Sequence, residues 1–382
     1  MALTTQDLLD GARAATGLDD FGDPTFRDGL DVLTESLARD AELNGLGQMA
    51  HEYTLGSLLN ERLRVEDWHR RHAEIAEQKI GDPIFITGLP RTATTALSNL
   101  LAADPDTRSL LMWESQCPTP PPEAATYATD PRIAETDARN AMLRDNPDFV
   151  RMYDGTAISP TENIDLLGQH FRTQHFEGMA RLPSYIEWWL ACDMVPAYRH
   201  HARVLQLLQW RHAKARWHLK SPPDLCHLDA FVAVYPGARI VWTHRDPATV
   251  LASVCKLISI IRGMQTDHLD PHQLGREQLA FWAEAIRRAL AFRRSVGEER
   301  FADVFMHDLV AHPIETVASV YARVGVPFTA AAEHAMRVWS ADHPQHKHGA
   351  LPYALAEFGL DLDQVREAFR DYTQHFALRL EG

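Results

Sequence analysis

Gly81-Asp-Pro-Ile-Phe-Ile-Thr-Gly-Leu-Pro-Arg-Thr-Ala-Thr-Thr95 decides the fold of this chain. Ile84, Phe85 and Ile86 form an apolar burst that runs into Gly88 and Pro90, residues that interrupt regular structure. One cation and three hydroxyls follow within five residues: Arg91, Thr92, Thr94 and Thr95. Ala96, Leu97, Leu100 and Leu101 then recur at helical spacing. The order predicts strand, tight loop and helix start. Amide N–H groups at a helix start have no intrahelical partner, and the macrodipole makes their surroundings positive, so such a junction holds anions. Arg91 and the threonines would add charge-assisted bonds to phosphate-like oxygens. The loop departs from the phosphate-binding pattern G-x-x-x-x-G-K-S/T. Laid on Gly88, that pattern puts Ala93 at the second Gly and Thr94 at the Lys. A kinase or nucleoside triphosphatase would therefore lack the lysine that reaches its phosphates.

Four short apolar runs suit buried parallel strands: Ile84–Thr87, Trp217–Leu219, Ile240–Thr243 and Val304–Met306. Helical patterns separate them, so a parallel sheet with right-handed crossovers is expected, with strand exits and helix starts sharing one rim. Residues 1–80 read as a helical segment packed on this core, from the helical spacing of Leu30, Leu33 and Leu37 and of Leu55, Leu59 and Leu63. Residues 81–382 form the α/β domain, with a mostly helical insertion over 120–215 and a tail over 331–382. The stretch from Cys117 to Glu123 is Pro-rich and irregular. The aromatic set Phe171, Phe176, Tyr185, Trp188, Trp189 and Tyr198 packs a core under the insertion or lines an apolar acceptor pocket beneath a lid.

Composition narrows the function. The 382 residues carry a formal net charge of −14, which disfavours nucleic acid and anionic membrane surfaces as main partners. An anionic ligand must then be met by local cations. No apolar run has the length of a membrane span, and the first residues lack a basic-then-apolar leader, so a cytoplasmic location is expected. Cys117, Cys192, Cys226 and Cys255 lie far apart, and the histidine clusters lack ligand spacing, so no metal is expected.

Ile240-Val-Trp-Thr-His-Arg245-Asp246-Pro247 is another strand that runs into a charged turn and then a helix. Arg245 stands at the strand exit, where it suits a second phosphate, and Ser253 follows eight residues later. Trp217-His-Leu-Lys220-Ser-Pro222 is a third strand ending, in Lys then Pro. Alone, a local ion pair explains the Arg-Asp-Pro turn and solvation explains Lys220. With the 91–95 loop they make a pattern. Pro90-Arg91-Thr92-Ala93-Thr94-Thr95 resembles the 5′-phosphosulfate loop Pro-Lys/Arg-Ser-Gly-Thr-Thr of sulfotransferases, which use 3′-phosphoadenosine 5′-phosphosulfate (PAPS). Arg245 and Ser253 resemble the 3′-phosphate element of bacterial and tyrosylprotein sulfotransferases. Lys220 resembles a lysine that acts on the transferring group.

The resemblance spans about residues 82–330 and implies a P-loop-like α/β fold with PAPS as cofactor and 3′,5′-diphosphoadenosine as product. It implies that the amides of Thr92, Ala93, Thr94 and Thr95 hold the 5′-phosphate and that Arg245 and Ser253 hold the 3′-phosphate. Arg91 and Lys220 would stabilise the sulfuryl group in transfer to a hydroxyl of a small or amphipathic acceptor. Glu114, in Leu111-Met112-Trp113-Glu114-Ser115, lies where tyrosylprotein sulfotransferases carry a Glu base. A carboxylate in so apolar a stretch also needs a partner, so a structural Glu bonded to backbone or Arg stays open. Glu162, His170 and Asp224 are rivals for the base; Asp224 stands where many bacterial relatives have His. The sequence departs from the pattern twice more. Met306-His-Asp-Leu309 replaces the Tyr-Glu-Asp-Leu stretch that stacks adenine, and Gln345-His-Lys347-His-Gly349 is the candidate for a glycine-lysine 3′-phosphate segment. Two competitors remain. A related kinase would show magnesium-dependent ATP binding. A non-catalytic nucleotide-binding protein would bind the cofactor and transfer nothing.

Overall fold

Ile84–Gly88 (β1) is the middle strand of a five-stranded parallel sheet, and all five of its residues are buried. The computed structural model describes residues 3–153, 155–214, 216–343 and 353–381. The other strands are Thr107–Ser109 (β2), Arg216–Lys220 (β3), Arg239–His244 (β4) and Phe301–Phe305 (β5). Their order is β2-β3-β1-β4-β5. Ile86 lies in register with Lys220 on one side, and Gly88 with Thr243 on the other. The chain leaves β1 for β2, returns to β3 beside β1, then crosses to β4 and β5. The strand order therefore reverses at β1, and the exits of β1, β3 and β4 meet where open α/β sheets bind ligands.

The alternation of side chains along a strand sends successive residues of β1 to opposite faces. Ile84 and Ile86 pack with Leu97, Leu101, Val241, Val304 and Val317. Phe85 joins the larger cluster on the other face, with Leu219, Ile240 and Trp242. That cluster also takes apolar side chains from three helices that precede the sheet: Thr5–Thr16 (α1), Phe26–Asp40 (α2) and Gly45–Arg71 (α3). Thr4 and Asp7 form a reciprocal capping box at the start of α1, and Asn44 caps α3 through the Gly47 amide.

Two details differ from the sequence expectations, and a third, left open between two readings, is decided. β2 carries no apolar signal, because Thr107-Arg108-Ser109 has no apolar residue; its side chains are buried by hydrogen bonding instead. Thr107 Oγ1 donates to the Leu101 carbonyl at 2.6 Å, and Ser109 Oγ lies 2.7 Å from His218 Nδ1. The last strand spans Phe301–Phe305, and Met306 opens the helix Met306–Ala311. Phe171, Phe176, Tyr185, Trp189 and Tyr198 lie fully within the large core, so they fill it and do not line an acceptor pocket.

Candidate active site

Backbone geometry shapes the loop after β1. Gly88 has φ +144°, and a Cβ there would lie 2.5 Å from both the carbonyl oxygen and Oγ1 of Thr243, so only glycine fits. Arg91 and Ala93 both take left-handed conformations, with φ of +65° and +68°. Left-handed backbone costs a non-glycine residue roughly 1–2 kcal/mol. The Ala93 methyl thus occupies a position where the related loop has Gly. Positive φ at 91 and 93 turns successive amides toward one concavity, the form of an anion-binding nest. Ala93 is also the N-cap of Thr94–Ala102 (α4), and its side chain makes no cap bond, which leaves the first amides of α4 to a ligand. Thr92 is a staple: its fully buried hydroxyl donates to the Leu89 carbonyl at 2.6 Å and lies 2.6 Å from Thr243 Oγ1. Thr94 is buried and Thr95 exposed.

The two arginine turns converge. Arg91 Nη1 donates to the Met152 carbonyl at 2.9 Å, and its Nε to Ser253 Oγ at 3.2 Å. Arg245 Nη1 donates to the Arg91 carbonyl at 3.3 Å. Burial, with the neighbouring Arg245 charge, lowers the Arg91 pKa. The rest of the Arg245 fork is filled by Glu381, with Nε and Nη2 each 2.8 Å from one carboxylate oxygen. This bidentate pair raises the Arg245 pKa and lowers that of Glu381. The segment carrying Glu381 is anchored on β4. Buried His244 lies 2.9 Å from both Tyr372 Oη and Asp303 Oδ1, and the Phe376 ring centroid is 4.0 Å from the His244 ring. The Glu381 amide donates to Asp246 Oδ2 at 2.8 Å, while Asp246 Oδ1 caps the Pro247–Gly263 helix through the Ala248 amide. The Tyr353 phenol also neighbours both guanidinium groups.

Lys220, at the exit of β3, is 1% exposed, and its Nζ donates to Glu162 Oε1 at 3.0 Å. The Glu162 side chain is 27% exposed, so this pair opens to solvent through its carboxylate. The loop that carries Glu162 crosses the sheet edge: the Thr161 amide donates to the Leu110 carbonyl at 2.8 Å, and that of Asn163 to the Lys220 carbonyl at 3.1 Å. Tyr153 stands beside this loop, and burial followed by the charge of Glu162 raises its pKa.

Glu114 is placed differently from the base expected there. It is 0% exposed, with Oε1 at 2.6 Å from Arg108 Nη2 and Oε2 accepting from the Leu111 amide at 3.3 Å. Burial raises its pKa more than Arg108 lowers it. A raised pKa suits a general base, but a base must first reach the proton it takes. A carboxylate with both oxygens engaged and no exposed surface does not, so Glu114 is a structural counter-ion. His170 is likewise excluded. It is fully buried, its Nδ1 accepts from Arg172 Nη1 at 2.8 Å, and burial with Arg62 and Arg172 holds its pKa well down. Asp224 is buried and both its oxygens are engaged, by Ser221 Oγ at 2.7 Å and Asn163 Nδ2 at 3.2 Å. Of the carboxylates and the imidazole considered for the base, Glu162 alone combines a cation partner with an open side. Glu381, Tyr353 and Tyr153 carried no motif. Gln345 to Gly349 lie outside the described residues.

A family model described as the Sulfotransferase family matches residues 83–330, more than half of the chain. The structure is similar to that of sulfotransferase STF9 from Mycobacterium avium, with TM-score 0.92 and 30% identity over 99% of this chain and 98% of that one. It is also similar to sulfotransferase STF1 from Mycobacterium tuberculosis, with TM-score 0.87 and 34% identity over 97% of this chain and 99% of that one. The omega-hydroxy-beta-dihydromenaquinone-9 sulfotransferase Stf3 of Mycobacterium bovis is 25% identical over 309 residues, 77% of this chain and 76% of the relative.

Proposed function

The chain belongs to the sulfotransferase family, and on that footing we propose that it moves the sulfuryl group of PAPS in line to a hydroxyl of a small or amphipathic acceptor. One observation carries this reading. Arg245 Nη1 reaches the Arg91 carbonyl at 3.3 Å across 154 residues of sequence, so the two cationic turns are in direct contact, as a shared nucleotide site requires. The residues fit a doubly phosphorylated nucleotide. The nest at 91–93 and the open start of α4 suit the 5′-phosphosulfate, and the Arg245 fork already holds a carboxylate as it would hold the 3′-phosphate. Arg91 bonds Ser253 and stands between the two subsites.

PAPS supplies an already activated sulfuryl group, so the protein's work is alignment and charge stabilisation. Arg91 and Lys220 neutralise charge that builds on the sulfuryl and bridging oxygens. Glu162 takes the acceptor proton from the open side of its pair with Lys220. The M. bovis relative's name, with its hydroxylated menaquinone derivative, supports a hydroxyl on a lipid-like body as the acceptor class.

Calorimetry with 3′,5′-diphosphoadenosine tests the reading. The wild type binds at micromolar concentration, and Arg91→Ala and Arg245→Ala each weaken binding at least about tenfold, a loss of about 1.4 kcal/mol. No binding by the wild type, or unchanged binding by both folded variants, overturns it.

A further inference from the structure

Resting on that assignment of Glu162 and Lys220, we propose that Asp224 is the positioning residue that sets their register. The two ions lie on different elements, 58 residues apart, and share one 3.0 Å contact. The Asn163 amide also donates to the Lys220 carbonyl at 3.1 Å, which joins the two backbones but does not set how the side chains meet. The residue that follows each of them is tied to the same carboxylate. Ser221 Oγ donates to Asp224 Oδ1 at 2.7 Å, and Asn163 Nδ2 donates to Asp224 Oδ2 at 3.2 Å. The clip is referenced to β1. The Ser221 amide donates to the Ile86 carbonyl at 3.1 Å, and Thr87 Oγ1 donates to the Ser221 carbonyl at 2.9 Å. Asp224, Asn163 and Ser221 are all buried, so water does not compete for these bonds. One carboxylate thus ties the Glu162 loop and the Lys220 strand to the strand that feeds the phosphate loop.

Two features separate this clip from a polar group that merely fills space. Asn163 stands at the N-cap of the Ile164–Gly168 helix, where an Asn oxygen ordinarily accepts a helix amide. It makes no such bond, its Oδ1 has no partner among the described residues, and its donor is committed to Asp224. Asp224 is also kept at a cost. Burial, reinforced by the nearby Glu162 charge, pushes its carboxyl up to about 6 despite the bonds from Ser221 and Asn163. An apolar residue there would avoid that desolvation.

The test uses Asp224→Ala, Asn163→Asp and the swap N163D/D224N. The single N163D sets two carboxylates against each other, and the swap restores one donor amide facing one acceptor carboxylate. The readouts are release of 3′,5′-diphosphoadenosine from PAPS with 2-naphthol as acceptor probe, calorimetric affinity for 3′,5′-diphosphoadenosine, and crystal structures of that complex. In both single variants kcat falls about 10- to 100-fold, the scale of a misplacement near 1 Å. Nucleotide affinity stays within about twofold and the Glu162–Lys220 contact opens, while the swap recovers most of kcat and the contact. An intact contact with kcat within about twofold in D224A and N163D overturns the proposal, as does loss of kcat and nucleotide affinity together. Glu162→Gln separates the two levels. Near-normal turnover in that variant refutes the base itself; a dead E162Q beside active D224A and N163D refutes only the positioning role.

Discussion

Set apart from the exposed surface pairs, the ion pairs near the sheet are of two kinds. Under the sheet edge, Arg108 and Glu114 pair at 2.6 Å with side-chain exposures of 3% and 0%. Arg108 also bonds the Leu208 carbonyl and lies over the rings of Trp217 and Tyr127, so every face of the pair is closed. Arg62, fully buried on α3, is likewise used up, by the carbonyls of Phe21, Asp23 and Gln169. At the rim the pairs are lopsided. Lys220 is 1% exposed against 27% for Glu162, and Arg245 is 18% exposed against 43% for Glu381. In each rim pair the cation is fixed and the carboxylate is the open half. Closed pairs hold structure, because losing one partner strands a buried charge. Lopsided pairs suit chemistry, because an incoming anion can take the carboxylate's place.

The largest effect that would break this contrast is at Glu162. Glu162→Gln keeps the shape and removes the proposed base, so kcat with PAPS should fall by about 10²- to 10⁴-fold. Affinity for 3′,5′-diphosphoadenosine is retained, because Glu162 touches neither arginine turn. Steady-state rates and calorimetry on one preparation check both halves. Turnover near the wild-type rate would make Glu162 a mere counter-ion and erase the difference between the two regions.

Glu114 gives the converse. Removing its carboxylate leaves Arg108 buried and unpaired, a loss of about 3–5 kcal/mol in stability. Urea denaturation of Glu114→Gln therefore shows a much lower midpoint, while the folded fraction binds 3′,5′-diphosphoadenosine as the wild type does. A stable E114Q with collapsed turnover would return Glu114 to the catalytic set.

The misplacement of Glu114 shows what a sequence can carry. The apolar runs that became β1, β3 and β4 are legible because strand burial is written locally in side-chain type. The pairing of Arg91 with Arg245 is legible because both follow strands of one parallel sheet, so topology brings them to one rim. Whether a carboxylate between Trp113 and Ser115 faces a cleft or an arginine six residues back is a question of side-chain direction, and residue type does not encode it. β2 escaped for a related reason: its burial rests on hydrogen bonds to Leu101 and His218 that only the tertiary fold supplies. Glu162 is one of several candidate bases in the sequence, and only the fold brings Lys220 to 3.0 Å from it. Glu381 had no local signal, since its role follows from the path of the segment anchored on His244.

That same carboxylate gives the smallest and sharpest test of the exchangeable half. Glu381 fills the Arg245 fork, so a 3′-phosphate bound there, as proposed, would displace it. Partly exposed pairs are worth about 0.2–1 kcal/mol, so Glu381→Gln should tighten binding of 3′,5′-diphosphoadenosine by about 1.4- to fivefold. The sign of the pH dependence follows from ionisation. Arg245 lowers the Glu381 pKa, so the carboxylate stays charged and competes throughout the neutral range. The advantage of E381Q is therefore flat from about pH 6 to 8 and shrinks toward nothing as acid protonates Glu381 in the wild type, below the ordinary carboxylate pKa of about 4.3. Adenosine 5′-phosphosulfate, which lacks the 3′-phosphate, should bind E381Q and wild type alike. Weaker binding of the diphosphate by E381Q would mean that Glu381 orients Arg245 for the phosphate, and the rim carboxylate would then be a fixed part of the site, as closed in function as Glu114 is in structure.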